Sequence, residues 1–311
     1  VKLAALVLVP LVLVLAGLAA WLYTPDRSAA ALREKYDDAA TSYIPLDGIV
    51  LRVRDTGPRG APAVILLHGF GASLETWQPW ADRLSENYRV IRFDLPGFGL
   101  TGPDPTGDYS DRRATQLIAA LMDHFGIPAA AVIGNSLGGR IAWQFAAADP
   151  VRVTKLVLIS PDGFASAGFE YGKAPEIPLI MQLFPYTLPA FMLRASLAPA
   201  YADPRRITPS IFARYQDFML APGDRTAMLA RMRQTILADP APILRQIRCP
   251  TLLLWGAKDG MIPISNAGDY LRDIPHARLV TLATLGHVPF EEDPAASLPP
   301  VLAFLAGDGG R

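Results

Sequence analysis

From residue 49 onward the apolar positions switch between two periods. Ile49-Val50-Leu51-Arg52-Val53-Arg54 alternates as a half-buried edge strand does. Ala63–Leu67 is apolar throughout, the pattern of a strand covered on both faces, and Tyr88–Phe93 reads as another strand. Between Ser110 and Phe125 the spacing becomes helical, with Ala114, Leu117, Ile118, Leu121, Met122 and Phe125 on one face. Ser110 is placed to cap that helix and Gly126 to close it. Strands follow at Ala129–Ile133, Leu156–Ile159, Thr251–Trp255 and Leu279–Leu282, and Asp293-Pro294 opens a last short helix. Strand–helix alternation of this length predicts an α/β fold with a mostly parallel, doubly wound sheet.

Residues 163–247 break the rhythm. They are rich in Pro, Met, Phe, Tyr and Leu, with helices predicted at 177–183, 188–197, 209–220 and 225–237. Because strands flank them on both sides, they are expected to be a helical cap inserted between two parts of one core, 46–162 and 248–311. At the other end, Leu3–Leu22 is a run of twenty uncharged residues, about the length that spans a bilayer core as a helix. Trp21 and Tyr23 stand at its end, where an interfacial belt belongs. Residues 1–24 are therefore expected to be a transmembrane anchor or uncleaved signal, with 25–45 as a polar spacer. That expectation makes the membrane a partner and the localisation membrane-anchored, the alternative being a secreted or periplasmic protein after signal cleavage.

Composition narrows the rest. The 311 residues are 51% hydrophobic and 19% charged, which excludes a disordered chain. A formal net charge of zero and the lack of any Lys/Arg run give no reason to expect a nucleic-acid partner. The single cysteine, Cys249, cannot form an internal disulfide and precedes an apolar run, the setting of a buried small residue. His68, His124, His276 and His287 are scattered without metal-ligand spacing, so neither a metal nor a cofactor is expected.

The chemistry concentrates at Gly134-Asn135-Ser136-Leu137-Gly138, a G-x-S-x-G sequence with a strand before it and a helical pattern after it. A sharp strand-to-helix turn lifts the serine hydroxyl out of the backbone, and flanking glycines remove side chains that would clash. A serine hydroxyl needs a base to take its proton. His287, just after the last strand and behind Gly286, is that candidate, whereas His124 lies late in an amphipathic helix and His276 in a turn. The imidazole in turn needs a carboxylate. Asp259 follows a buried strand, 28 residues before His287, with Asp162 as the competing acid and Asp94 read as a loop-ordering residue. For the oxyanion, the N–H of Leu137 and that of Phe70, in His68-Gly69-Phe70-Gly71, are the expected donors. His68 itself is read as a loop-packing residue.

Together HGFG at 68–71, FDLPGFGLTG at 93–102, GNSLGG at 134–139, WGAKD at 255–259 and GHVPFEEDP at 286–294 resemble, in order, the motifs of the α/β-hydrolase superfamily. The resemblance covers 46–306 and points to the capped esterase, lipase and C–C hydrolase-like branch. It implies a Ser136–Asp259–His287 triad with an oxyanion hole at Phe70 and Leu137. Dehalogenases and epoxide hydrolases of this fold carry an aspartate at the elbow, where Ser136 stands. C–C hydrolases share the GNS elbow but usually carry tryptophan after the histidine, where this chain has Val288.

The expected activity is therefore a membrane-anchored serine carboxylic ester hydrolase, working through an acyl-enzyme on a small-molecule ester or lipid. Met181, Leu183, Phe184, Phe191, Met192, Phe212, Met219, Leu220 and Met228 supply apolar surface suited to an acyl chain, a minority of them being expected in the pocket. The alternatives are a C–C hydrolase, an acyltransferase or perhydrolase with the same triad, and a non-catalytic membrane-tethered module.

Overall fold

A computed structural model describes residues 2–165 and 170–307. Eight strands, β1 (Thr41–Leu46), β2 (Ile49–Thr56), β3 (Ala63–Leu67), β4 (Arg89–Phe93), β5 (Ala130–Asn135), β6 (Val153–Ile159), β7 (Thr251–Gly256) and β8 (Ala277–Leu282), form one sheet. Their order is β1-β2-β4-β3-β5-β6-β7-β8. β1 and β2 run antiparallel at one edge and every pairing from β4 to β8 is parallel.

The continuous apolar runs follow from two-sided burial. Along β3, Ile65 and Leu67 face a core that holds Val132, Ile141, Phe145 and Leu158. Val64 and Leu66 face the opposite core, with Ile133, Val157, Trp77, Trp80 and Phe290. Neither face meets water, so both phases of the period-2 pattern are apolar. The helices Asp111–His124 and Leu137–Ala148 are the crossovers into and out of β5. Ser110 caps the first, its side chain accepting from the Arg113 N–H.

The chain leaves β3 toward β4 on one side, while β5 pairs on its other side with Leu67 opposite Gly134. That is the topological switch point, where open α/β sheets bind ligands at the carboxyl ends of their strands. Asn135 lies opposite Ile159, so the ends of β5 and β6 are level there.

Between β6 and β7 lie a 3₁₀ turn, Leu179–Leu183, and the helices Ala190–Leu197, Pro209–Met219, Asp224–Gln234 and Ala241–Leu244. They start later or end sooner than the apolar spacing suggested, chiefly where prolines intervene. Pro178 and Pro189 stand at the N-cap positions of the first two. The stretch 25–45 holds the helix Ala29–Tyr36 and most of β1, and it is tied to these helices. Arg225 donates to the Thr24 carbonyl and to Asp26, and Lys35 and Tyr36 both reach the buried Asp217.

The transmembrane helix expected within 1–24 is corrected: among the described residues no helix is long and apolar enough to cross a membrane. The backbone is helical over Lys2–Leu22 with Pro10 inside it. The side chains of 1–7, 15 and 19, on which part of the expectation fell, lie outside the described residues. The membrane partner and the membrane-anchored localisation are corrected on the same finding.

Candidate active site

The turn after β5 is built around Ser136, whose φ of 53° and ψ of −118° fall in a region non-glycine residues avoid. Such backbone costs on the order of 1–3 kcal/mol and persists only where the surroundings hold it. Here the Ser136 N–H donates to the Ile159 carbonyl at 3.0 Å, and the Ser136 carbonyl accepts from Arg140 and Asp162 N–H at 2.9 and 3.1 Å. The flanking glycines are sterically required. A Cβ on Gly134 would lie 2.2 Å from the Gly138 carbonyl oxygen, and one on Gly138 would lie 2.2 Å from that of Leu67. The turn leaves Ser136 half-buried at the start of the helix Leu137–Ala148.

His287 Nδ1 and Asp259 Oδ2 are 2.8 Å apart, both side chains being almost wholly buried. Asp259 Oδ1 accepts the Met261 and Ile262 N–H groups, each at 2.8 Å, which fixes the carboxylate plane. Burial alone would push the Asp259 carboxyl up, but the hydrogen bond and charge of His287, with help from the Ile262 N–H, take it below the usual carboxylate range. An ionised Asp259 can only accept, so Nδ1 carries a proton, and in the neutral ring the lone pair is then on Nε2. The ring's backbone is held as well. The His287 N–H donates to the Ala200 carbonyl at 2.7 Å, and Asn135 Nδ2 donates to the His287 carbonyl at 3.0 Å.

Ser136, His287, Gly69 and Phe70 line one cavity of about 320 Å³. The loop after β3 presses on the elbow: a Cβ on Gly69 would lie 2.9 Å from Asn135 Oδ1 and 3.3 Å from Ser136 Cβ. Leu137 is buried and Phe70 is 43% exposed. Of the nine apolar residues expected to supply the pocket, Met181, Phe184, Met192 and Met219 line this cavity. Met228 and Leu220 are buried in the cores instead, and Phe191 and Leu183 are exposed. Met232 and Met261 also line it, bringing five of the seven methionines to one surface.

The competing residues are engaged elsewhere. Asp162 pairs with Arg140 at 2.9 Å. Asp94 accepts the Leu74 and Leu100 N–H groups, ordering the loops on either side. His68 is fully buried, its Nε2 accepting the Leu95 N–H at 2.9 Å, and burial pushes its imidazole below the usual histidine value. His124 and His276 are exposed. Cys249 is buried, which pushes its thiol up to about 11. Among the described residues no group of three or more His, Cys, Asp or Glu is placed to hold a metal ion.

Three features escaped the reading of the sequence. Asn135 was visible only as a filler position in G-x-S-x-G, Glu291 and Glu292 only as an acidic pair after His287, and Thr76 and Tyr215 carried no motif at all. A family model described as alpha/beta hydrolase fold matches residues 62–294. The chain belongs to that family. Among alpha/beta hydrolases, it is 31% identical over 237 residues to a pimeloyl-[acyl-carrier protein] methyl ester esterase of Aliivibrio salmonicida, covering 73% of this chain and 85% of that one. It is 29% identical over 233 residues to a 2-hydroxy-6-oxo-6-phenylhexa-2,4-dienoate hydrolase of Comamonas testosteroni, covering 72% and 81%. Two other curated relatives are longer, and the matches span 67% and 35% of them. Among solved structures, a membrane phospholipase A described as a bacterial virulence factor superposes with a TM-score of 0.74 at 28% identity, covering 99% of both chains. The chain is thus an alpha/beta hydrolase with esterase, lipase and C–C hydrolase relatives.

Proposed function

We propose that this hydrolase is a serine carboxylic ester hydrolase acting on apolar acyl esters through an acyl-enzyme. The observation that carries this reading is a half-buried serine on a strained turn sharing a methionine-lined cavity with a histidine fixed on an ionised aspartate. Ser136 attacks the ester carbonyl while His287 Nε2 takes its proton, and the Phe70 and Leu137 N–H groups receive the oxyanion. His287 then protonates the leaving alcohol, the acyl chain stays on Ser136, and His287 activates the water that releases it. Asp259 holds the tautomer and stabilises the imidazolium throughout.

The cavity supports an acyl group as the apolar part. Its lining is largely apolar, with Leu188, Leu193 and Leu197 beside the methionines, which suits an alkyl chain. Methionines suit it because their unbranched, polarisable side chains repack around chains of differing length. The likeness to a phospholipase A supports lipid-derived esters as the substrate class. The C–C hydrolase reading has one specific support, the likeness to a dienoate hydrolase; Val288 stands against it, in the position where those enzymes usually carry tryptophan.

Hydrolysis of a p-nitrophenyl ester series from acetate to palmitate tests the reading, with products analysed in the presence of a competing alcohol. A medium-chain optimum with free acid as product supports it. Preferential transfer to the alcohol makes the protein an acyltransferase. Failure on every ester, with the dienoate substrate cleaved, moves the assignment to a C–C hydrolase. Failure on both favours a non-catalytic binding module.

A further inference from the structure

The short helix Pro289–Glu292, just past His287, places two acidic side chains where the sheet meets the helices between β6 and β7. Glu291 is 2% exposed in its side chain yet receives four donors. Tyr201 donates its hydroxyl at 2.6 Å and Tyr215 at 3.3 Å, and Thr76 and Arg214 complete the set. Arg214 and Tyr215 come from the helix Pro209–Met219, Tyr201 from the segment before it, and Thr76 from the 3₁₀ turn Leu74–Trp77. Glu292 reinforces the junction from the other side. It accepts the N–H of Gly286, the residue before His287, at 2.7 Å, and those of Ala202 and Asp203 at 3.2 Å.

Two links connect this hub to the chemistry. Tyr201 follows Ala200, whose carbonyl accepts the His287 N–H. Thr76 and Tyr215 line the same cavity as Ser136 and His287. A carboxylate buried for structure alone needs only one cation and enough donors, whereas these donors arrive from three separate elements that all border the site. The charge is balanced by Arg214, so removing either partner leaves a buried ion uncompensated.

We propose that Glu291 is a positioning residue, holding the loop that carries His287 in register with the cavity walls by gathering Thr76, Tyr201, Arg214 and Tyr215 at one carboxylate. The inference rests on His287 being the base of the proposed ester hydrolase. A shift of the 200–215 segment then reaches the imidazole through Tyr201 and the Ala200 carbonyl, so the consequence falls on proton transfer.

The test uses the full chain, with Glu291→Gln and Tyr201→Phe. Displacing a catalytic group by about 1 Å costs up to 10²-fold, so kcat for p-nitrophenyl acetate is expected to fall on the order of tenfold or more in Glu291→Gln. KM for that ester is expected to stay unchanged, because the proposed effect falls on proton transfer rather than on binding. Tyr201→Phe keeps the ion pair with Arg214 and shows a smaller loss in the same direction. It carries the test if Glu291→Gln does not fold. The independent readout is the low-field imidazole Nδ1–H proton resonance of His287, expected to shift or broaden in both variants. An unchanged resonance in folded variants overturns the proposal, as does a rise in KM with kcat intact. If the wild type hydrolyses no ester, the ester hydrolase reading fails, while the resonance still decides whether Glu291 positions His287.

Discussion

The Asn135 side chain joins the strand that delivers the nucleophile to the loop that delivers the base. Its Nδ2 donates to the Ile159 carbonyl at 3.1 Å and to the His287 carbonyl at 3.0 Å. Replacing it with alanine leaves the buried His287 carbonyl without a donor, worth on the order of 1–3 kcal/mol, while the Ile159 carbonyl keeps the Ser136 N–H. Asn135→Ala is therefore expected to lose thermal stability and, at temperatures where it remains folded, to lose more in kcat than in KM. Steady-state kinetics beside a melting curve check this; an unchanged kcat would mean that His287 is held without it.

Asp259 is expected to matter for orientation and for acid stability, which can be separated. Asp259→Asn keeps the shape but reverses the donor at Nδ1, and in a comparable triad this costs about 10⁴ in kcat. For stability, the folded carboxyl sits below its ordinary value. Its contribution is therefore present above the unfolded pKa, about 3.9, and is lost as pH falls through the folded value. The melting-temperature gap between wild type and Asp259→Asn should be full at neutral pH and should close on acidification below about pH 4. A gap independent of pH would remove the pair's electrostatic role.

Gly138 and Gly268 make opposite cases for the same substitution. A Cβ on Gly138 would lie 2.2 Å from a backbone oxygen, whereas Gly268, in the helix Ala267–Asp273, has nothing within 4 Å. Gly138→Ala should destabilise by about 3 kcal/mol or more, and Gly268→Ala should stabilise by about 0.5–1 kcal/mol. Paired denaturant titrations give both signs in one experiment.

Met192 lines the cavity while remaining half exposed. Met192→Trp adds bulk at that wall. The ester-length optimum should shorten by several carbons, with acetate hydrolysis within about twofold of wild type. An unshifted optimum would place the acyl chain elsewhere.

The strand–helix rhythm of 49–162 and 248–306 was legible because a sheet buried on both faces leaves an unbroken apolar signature, as at Ala63–Leu67. The positions of Ser136, Asp259 and His287 at punctuated turns after strands were legible, and Asp259 and His287 do meet. The parts that escaped act through tertiary contacts. Glu291 meets Arg214 across 77 residues and Thr76 across 215, so no local pattern announces them. The apolar N-terminal run read as a bilayer span because hydropathy counts residues alone, whereas among the described residues no helix is long and apolar enough to cross a membrane. Among the pocket residues, hydrophobicity could not separate Met219, in the cavity wall, from Met228, in the core.

The most direct measurement is to mix the protein with p-nitrophenyl octanoate, quench in acid within the first turnovers and map the acyl adduct by peptide mass. An octanoyl group on the peptide containing Ser136, absent in Ser136→Ala together with turnover, is the expected result; such a substitution can cost about 10⁶ in kcat. Ester hydrolysis persisting in Ser136→Ala, or an adduct on another residue, would contradict the serine mechanism.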